Sequence, residues 1–364
     1  MQTVIILGIL SMFFAWLEGH GLFKHGLKVS FGLIFIFSAL RYDYGNDYNS
    51  YLTYFDKINA NGEIGYFNPT YFDSDFAGIE VGWVFLNRVF SSLGFFALVG
   101  AMSLFNCIIY YRFIKKYVPL TYYWLAIFIY TFSPFIMLIQ LSAMRQSIAI
   151  SLFILSIDYL INKKIIYFYI ITFIAICFHS SALILLPLYF IRPPNMKLSN
   201  YQILTVIFTF FLVYFSISFL TIDIANISNL LFSRYSVYLE TQNIGIGFTI
   251  IFSIFLMVII LKQLNKQNYE LKQIYILTLI GIFLIPLSGI FAMSGRLLFY
   301  FQVFSIAVYP SIINYLKNKS YKLLFLCVII FSTLYIFNIF LKRENFGNHY
   351  QTYQTIFTAP KYLF

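Results

Sequence analysis

Three arginines and one histidine stand where an apolar run meets a polar stretch, a fourth arginine, Arg234, lies within the polar stretch 221–244, and those positions are where chemistry is to be sought. Arg145 lies in Leu141-Ser142-Ala143-Met144-Arg145-Gln146, at the start of an apolar run with Ser142 placed as N-cap. A helix beginning there points its positive dipole end at the same spot, so the guanidinium adds to that charge and costs free energy until an anion arrives. A helix N-terminus with an arginine fork suits phosphate. Ser294-Gly295-Arg296 repeats the arrangement, and Gly295 lets a ligand come close to the backbone. Two such arginines could clamp a diphosphate, with Arg41 and Arg234 as further cations. His179, in Phe178-His179-Ser180-Ser181-Ala182, can serve as general base or as neutral donor. The plainer alternatives are arginines snorkelling to headgroups and a histidine that only holds a helix junction.

A second group is aromatic and acidic. Arg41-Tyr42-Asp43-Tyr44-Gly45-Asn46-Asp47-Tyr48-Asn49-Ser50-Tyr51 interleaves rings with carboxylates and amides around a Gly-Asn turn. Rings stack on the C–H faces of sugars, and Asp and Asn bind hydroxyls. Tyr42, Tyr44, Asp47, Tyr48 and Tyr51 are therefore the expected sugar contacts and Asp43 a possible base. An interfacial aromatic belt with a solvated loop is the alternative. Glu80, in Gly78-Ile79-Glu80-Val81-Gly82-Trp83, reads as a base or as an acid favoured at a helix start. Asp73-Ser74-Asp75 matches a metal-binding DxD by letters only and is read as a loop acid pair, which leaves metal dependence open. Asp158 is expected to pair with Lys163 or Lys164.

The elements that must position these residues are membrane spans. Of 364 residues, 61% are apolar and 10% charged, against about 25% charged in a soluble domain. That excludes an ordinary soluble enzyme, a disordered chain and a nucleic-acid-binding module; the partner implied is the lipid bilayer. Apolar runs over 1–17, 27–40, 93–113, 119–138, 142–161, 165–179, 181–191, 201–220, 245–261, 273–291, 297–315 and 323–341 predict an all-α polytopic integral membrane protein with about 12 transmembrane helices (10–14). The run 1–17 reads as a first span rather than a cleaved signal. Alternate connections hold 15 of the 24 Lys and Arg, and the others hold ten of the 13 Asp and Glu. The net charge of +11 thus follows the positive-inside rule, with the basic side cytoplasmic. One membrane domain, 1–341, then carries far-side loops 41–92 and 221–244, and 342–364 forms an extracytoplasmic C-terminal tail. Cys107, Cys177 and Cys327 all fall in apolar runs and read as small buried hydrophobes.

Taken in order, Phe37-Ser38-Ala39-Leu40-Arg41-Tyr42-Asp43-Tyr44-Gly45-Asn46-Asp47-Tyr48, Glu80-Val81-Gly82, Met144-Arg145-Gln146-Ser147-Ile148-Ala149, Phe178-His179-Ser180-Ser181-Ala182-Leu183 and Gly295-Arg296-Leu297 resemble the EpsG family of Wzy-type polymerases for bacterial exopolysaccharide and O-antigen. The resemblance implies a GT-C-like membrane glycosyltransferase at the extracytoplasmic face of the cytoplasmic (inner) membrane. Such an enzyme moves a glycan from undecaprenyl diphosphate to the non-reducing end of another lipid-linked repeat unit. It implies inversion at the anomeric carbon, no nucleotide sugar, no metal and no cofactor. A flippase and a chain-length regulator are the implied protein partners. Arg145 and Arg296, then Arg41 and Arg234, would neutralise the departing diphosphate; His179, then Asp43 or Glu80, would take the acceptor proton. The rivals are a flippase or other transporter of the same lipid-linked oligosaccharide, an O-antigen ligase and a membrane acyltransferase.

Overall fold

The structure, a computed structural model, describes residues 2–60, 80–191, 193, 198–213, 246–288, 292–343 and 347–358. Among the described residues the chain is all-α apart from one antiparallel pair of two-residue strands, β1 (Arg41–Tyr42) and β2 (Gln354–Thr355). Its helices are α1 (Gln2–Gly19), α2 (Gly26–Ala39), α3 (Tyr48–Ala60), α4 (Val81–Val89), α5 (Phe95–Tyr117), α6 (Tyr123–Phe132), α7 (Ile139–Ser142), α8 (Met144–Ile161) and α9 (Ile165–Phe178). Then come α10 (Asn200–Val213), α11 (Ile246–Leu264), α12 (Tyr269–Ser288), α13 (Ala292–Gln302), α14 (Ser305–Tyr315) and α15 (Lys319–Lys342). Two compact units divide the chain: Met1–Tyr189 with Lys317–Phe364, and Phe190–Leu316.

Among the described residues, α1, α5, α8 and α15 are each long and apolar enough to cross a membrane. Two bent pairs, Leu120–Phe132 with Pro134–Ser142 at 58° and Gly295–Gln302 with Ser305–Tyr315 at 46°, raise that number to six. Length and composition thus carry six crossings at most among these residues, against about twelve expected. The run 119–138 reads as one straight span, and it is broken. Pro134 brings no N–H and pushes Ser133 out of the helical region (φ −79°, ψ 114°). The chain resumes through a π-helical turn over Pro134–Leu138 and ends in α7. This irregular backbone is enclosed by protein, with Pro134, Met137, Leu138, Gln140, Leu141 and Ser142 all buried, the condition under which a membrane protein tolerates it.

In the first unit α1 packs on α2 and α6, α2 on α5, α5 on α8, and α8 on α9. α5 shows why the sequence builds such a layer. Its 23 residues rise about 35 Å, and Leu98, Met102, Asn106, Ile109 and Phe113 recur at helical spacing on the buried face. Extended Val118 before Pro119 stops it. A small polar seam fixes α8 against α5: Ser151 Oγ donates to Asn106 Oδ1 at 2.7 Å, and Asn106 Nδ2 donates to Ser147 Oγ at 3.3 Å. Buried amides and hydroxyls need these partners, so the seam sets the rotation of α8 and hence of Arg145. α9 meets a 3-10 helix over Ser180–Phe190 that runs back beside it, tied by Tyr169 Oη to the Leu186 carbonyl (3.3 Å) and Tyr189 Oη to that of Lys163 (3.0 Å).

In the second unit α12 packs on α13, close enough that a Cβ on Gly281 would lie 2.8 Å from Phe301 Cβ. Tyr275 Oη donates to Ser311 Oγ at 3.2 Å, joining α12 to α14.

Two expectations change. Only Cys107 is buried; Cys177, on α9, and Cys327, on α15, are exposed. Asp158 pairs with Lys116 Nζ at 2.6 Å and accepts from Tyr117 Oη at 2.5 Å. That bond joins α8 to α5, a proximity the sequence does not display, whereas Lys163 and Lys164 are neighbours of Asp158 along the chain.

Candidate functional site

The Arg41–Tyr51 stretch is a folded clasp rather than an open loop. Asp43 and Gly45 take positive φ of 45° and 116°, turning the chain out of β1 and into α3. Gly45 is required sterically as well: an added Cβ would stand 2.5 Å from the Leu141 carbonyl oxygen. The Gly45 N–H donates to the His349 carbonyl at 3.3 Å, and Asn49 Nδ2 donates to Asp43 Oδ1 at 2.6 Å.

Arg41 is 3% exposed. Its guanidinium donates to the carbonyl of Ser38, to that of Leu141 (3.4 Å) and to Ser103 Oγ (3.4 Å). Those carbonyls lie in the last turns of α2 and α7, whose unpaired C=O groups carry the negative ends of the helix dipoles. Two helix ends therefore act as the counter-charge. Burial pushes the Arg41 guanidinium pKa down from its ordinary value, and nearby Tyr48, Tyr350 and Tyr353 push it back up. Arg41, expected at the diphosphate, is therefore enclosed here and braces α2, α5 and α7.

The tyrosines expected as sugar contacts differ in exposure. Tyr44 and Tyr48 are 0% exposed and Tyr51 is buried. Their faces are taken by other rings: Tyr44 by Phe37 (5.6 Å between centroids) and Tyr350 (5.3 Å), Tyr48 by Phe95 (5.4 Å), and Tyr51 by Trp83 (5.0 Å). Aromatic edges and faces satisfy one another in a dry core, so these tyrosines form the wall behind the site. Tyr42 and Asp43 are half-buried and Asp47 is exposed, so these three keep access to a ligand.

The C-terminal segment reads as a tail, but residues 347–358 form a strap over the clasp. β2 pairs with β1, placing Thr355 opposite Arg41 and Gln354 opposite Tyr42. Tyr350, fully buried, donates from Oη to the Leu138 carbonyl at 2.9 Å, while its own carbonyl accepts from Tyr44 Oη at 3.3 Å. Tyr353 stacks on Phe37 with centroids 4.4 Å apart and donates to the Phe37 carbonyl at 2.7 Å.

Beside the clasp, Arg145, Glu80, His179 and Tyr51 come together. Arg145 Nη1 lies 2.5 Å from Glu80 Oε2, with the two side chains 22% and 15% exposed. Glu80 Oε1 accepts the Ser180 N–H at 3.1 Å. Arg145 also shares a hydrogen bond with Tyr51 and stands over its ring, 6.0 Å from the centroid. Three helix starts meet here: Glu80 is the N-cap of α4, Arg145 is the second residue of α8, and Ser180 opens the 3-10 helix. Gly82 makes the approach possible, because an added Cβ would meet the Cys177 carbonyl at 2.7 Å. Each α-helix start brings roughly half a positive charge, so one carboxylate does not neutralise the group. The N-cap of α8 is Ala143, with no side-chain cap; Ser142, expected there, closes α7 instead.

His179 caps α9 in an extended conformation (φ −155°, ψ 118°) and is buried. Its Nδ1 accepts the Ser181 N–H at 3.2 Å and lies 2.6 Å from Ser181 Oγ. An amide N–H can only donate, so Nδ1 is the unprotonated nitrogen and the neutral ring carries its proton on Nε2.

The first unit therefore gathers Arg41, Asp43, Asp47, Glu80, Arg145 and His179 at one end of its helices. Arg296 belongs to the second unit and sits half-buried in the second turn of α13, four residues after the helix start at Ala292. Arg234, Asp73 and Asp75 lie outside the described residues. Sequence reasoning missed Ser181 as the group that fixes the His179 ring, and Tyr350 and Tyr353 as supports. Ser181 stands two residues from the histidine and could have been found; the strap tyrosines, among 31 in the chain, carry no local mark.

No curated protein and no solved structure matches this chain. The model of the EpsG family matches residues 27–357, from α2 to the strap, and includes every residue of the clasp and of the Arg145 cluster. The chain belongs to the EpsG family.

Proposed function

We propose that the protein is a polysaccharide repeat-unit polymerase that transfers a glycan from undecaprenyl diphosphate to the non-reducing end of a second lipid-linked unit. The observation that carries this reading is the Arg145–Glu80 pair at three converging helix starts. A diphosphate competes with Glu80 for Arg145, because the guanidinium fork and the helix starts favour the group with more negative charge. Capture of the fork by the diphosphate frees the Glu80 carboxylate.

The reaction is then a single displacement. The acceptor hydroxyl oxygen bonds to the donor's anomeric carbon from the face opposite the diphosphate, so that carbon inverts. The bond from that carbon to the phosphate oxygen breaks, and its electron pair leaves with undecaprenyl diphosphate. The acceptor's proton passes to Glu80. Charge grows on the leaving group in the transition state, where Arg145 and the helix starts stabilise it most, and no metal is assigned a part. His179 moves from first choice of base to donor, since its Nδ1 is engaged by Ser181 and its proton is on Nε2. Asp43, Asp47 and Tyr42 hold sugar hydroxyls at the clasp's open edge. In this reading the site faces the extracytoplasmic side of a bacterial cytoplasmic membrane, about twelve apolar segments cross it in a GT-C-like arrangement, and a flippase and a chain-length regulator work beside it.

The test is a polymer ladder. In a host lacking the gene, a polymerase defect leaves single repeat units on the surface, and the ladder is restored by wild type but not by Arg145→Ala or Glu80→Gln. Units trapped at the inner leaflet would make the protein a flippase. A ladder that stays on the lipid carrier would make it a ligase.

A further inference from the structure

At the far end of α8 from Arg145, a cavity of about 330 Å³ opens between α5 and α8. Asp158, on its wall, is 13 residues beyond Arg145, or about 20 Å along the helix, so the two places do not share a ligand. The cavity is lined by Arg112, Lys115 and Lys116 against one carboxylate, Asp158, with Phe113 and Tyr117 as aromatic walls. Lys116 is already matched by Asp158 at 2.6 Å. Arg112 and Lys115 remain as exposed cations, Lys115 steadied by Tyr111 Oη at 3.3 Å.

The surface leading to this cavity is apolar and open. Leu104 and Ile108 are 45% and 46% exposed and stand eight and four residues before Arg112 on the same face of α5. Leu155, which lines the cavity from α8, is 36% exposed. Both helices are long and apolar enough to span a membrane, so these side chains meet acyl chains. An apolar track ending in a cationic hollow has the shape of an amphiphile with a phosphate head. Basic clusters at the ends of membrane helices attract anionic lipids.

We propose that this cavity binds the phosphate headgroup of an anionic phospholipid, with its acyl chain along Leu104, Ile108 and Leu155. Arg112 and Lys115 hold the phosphate oxygens, while the Lys116–Asp158 pair and Tyr117 shape the floor. Two uncompensated cations suit a head with two phosphodiesters.

The test is native mass spectrometry of the full-length protein in mild detergent, titrated with cardiolipin, phosphatidylcholine or inorganic phosphate. Wild type is expected to retain cardiolipin at least ten-fold more tightly than phosphatidylcholine. Arg112→Gln with Lys115→Gln loses that preference, while the charge-matched Lys163→Gln with Lys164→Gln keeps it within two-fold. Equal weakening in both double variants would reduce the effect to general surface charge and overturn the proposal. Inorganic phosphate displacing cardiolipin at millimolar concentration would overturn it in favour of a site for a soluble anion.

Discussion

Arg145 and Glu80 are 65 residues apart in the chain, yet the guanidinium and the carboxylate meet at 2.5 Å. An arginine at a helix start is electrostatically misplaced by itself, and Glu80 supplies the anion that makes it tolerable. The same pair can be exchanged for a substrate diphosphate. A charge swap separates these roles. Arg145→Ala leaves a partly buried carboxylate alone and is expected to lower stability by roughly 1–3 kcal/mol, less than for a fully buried pair because both groups touch solvent. The double variant Arg145→Glu with Glu80→Arg should recover part of the thermal stability in detergent, short of the bond from the Ser180 N–H that an arginine cannot accept, and leave polymer synthesis absent. Recovery of polymer would mean that the pair is only structural.

Arg145→Lys keeps the charge and loses the fork. Polymer synthesis is expected to fall on the order of 100-fold, the size of a lost transition-state contact, with stability close to wild type. A normal ladder in this variant would remove the arginine from the leaving-group role.

Ser181→Ala removes the hydroxyl beside His179 Nδ1 but leaves the amide donor that fixes the tautomer. A fall in activity of about 3-fold is expected, on the scale of one neutral hydrogen bond, with a much larger fall for His179→Ala. If His179 is a donor, His179→Gln should retain more polymer than His179→Ala; equal loss would return the base role to the histidine.

Gly45→Ala places a side chain at φ 116° and 2.5 Å from the Leu141 carbonyl oxygen. Strained backbone alone accounts for about 1–3 kcal/mol, and the clash adds to it. The expected result is a lower Tm together with lost activity, because the clasp and α7 separate. A wild-type Tm would show that the clasp is not closed over α7.

The strap gives a pH dependence. Burial raises the Tyr353 phenol to about 12 and pushes those of Tyr44 and Tyr350 higher still. A phenol whose folded pKa is raised contributes stability that is complete below its unfolded value of about 10. For Tyr353 that contribution is lost as pH rises from about 10 to about 12. The protection factors of residues 347–358, that is, exchange rates corrected for the intrinsic hydroxide-catalysed rate, should therefore fall in that window. Tyr353→Phe should weaken the step, since it removes one titrating group together with the bond to the Phe37 carbonyl.

A helical membrane protein can be read from apolar composition and run length alone, and so can the positions of the charged residues that interrupt those runs. Apolar runs long enough for helices announce themselves by composition, and an arginine at a helix start is anomalous without any knowledge of contacts. The glycine at 45 and the arginine at 145 were legible for that reason. The tertiary structure decided what each charge meets. Arg41 and Arg145 look alike in sequence, but Arg41 is sealed against the carbonyl ends of α2 and α7, while Arg145 stays partly open beside Glu80. Nothing local separates them: apart from the Ser38 carbonyl beside Arg41, the hydrogen-bond partners that tell them apart, Ser103 and Leu141 for Arg41 and Glu80 for Arg145, come from 62 to 100 residues away. The break at Ser133–Pro134 follows from proline chemistry, yet whether a proline bends or ends a helix depends on what encloses the freed backbone. The strap is the clearest case: Tyr350 and Tyr353 reach back more than 200 residues to Leu138 and more than 300 to Phe37. Such pairings are fixed by packing and not by any short pattern.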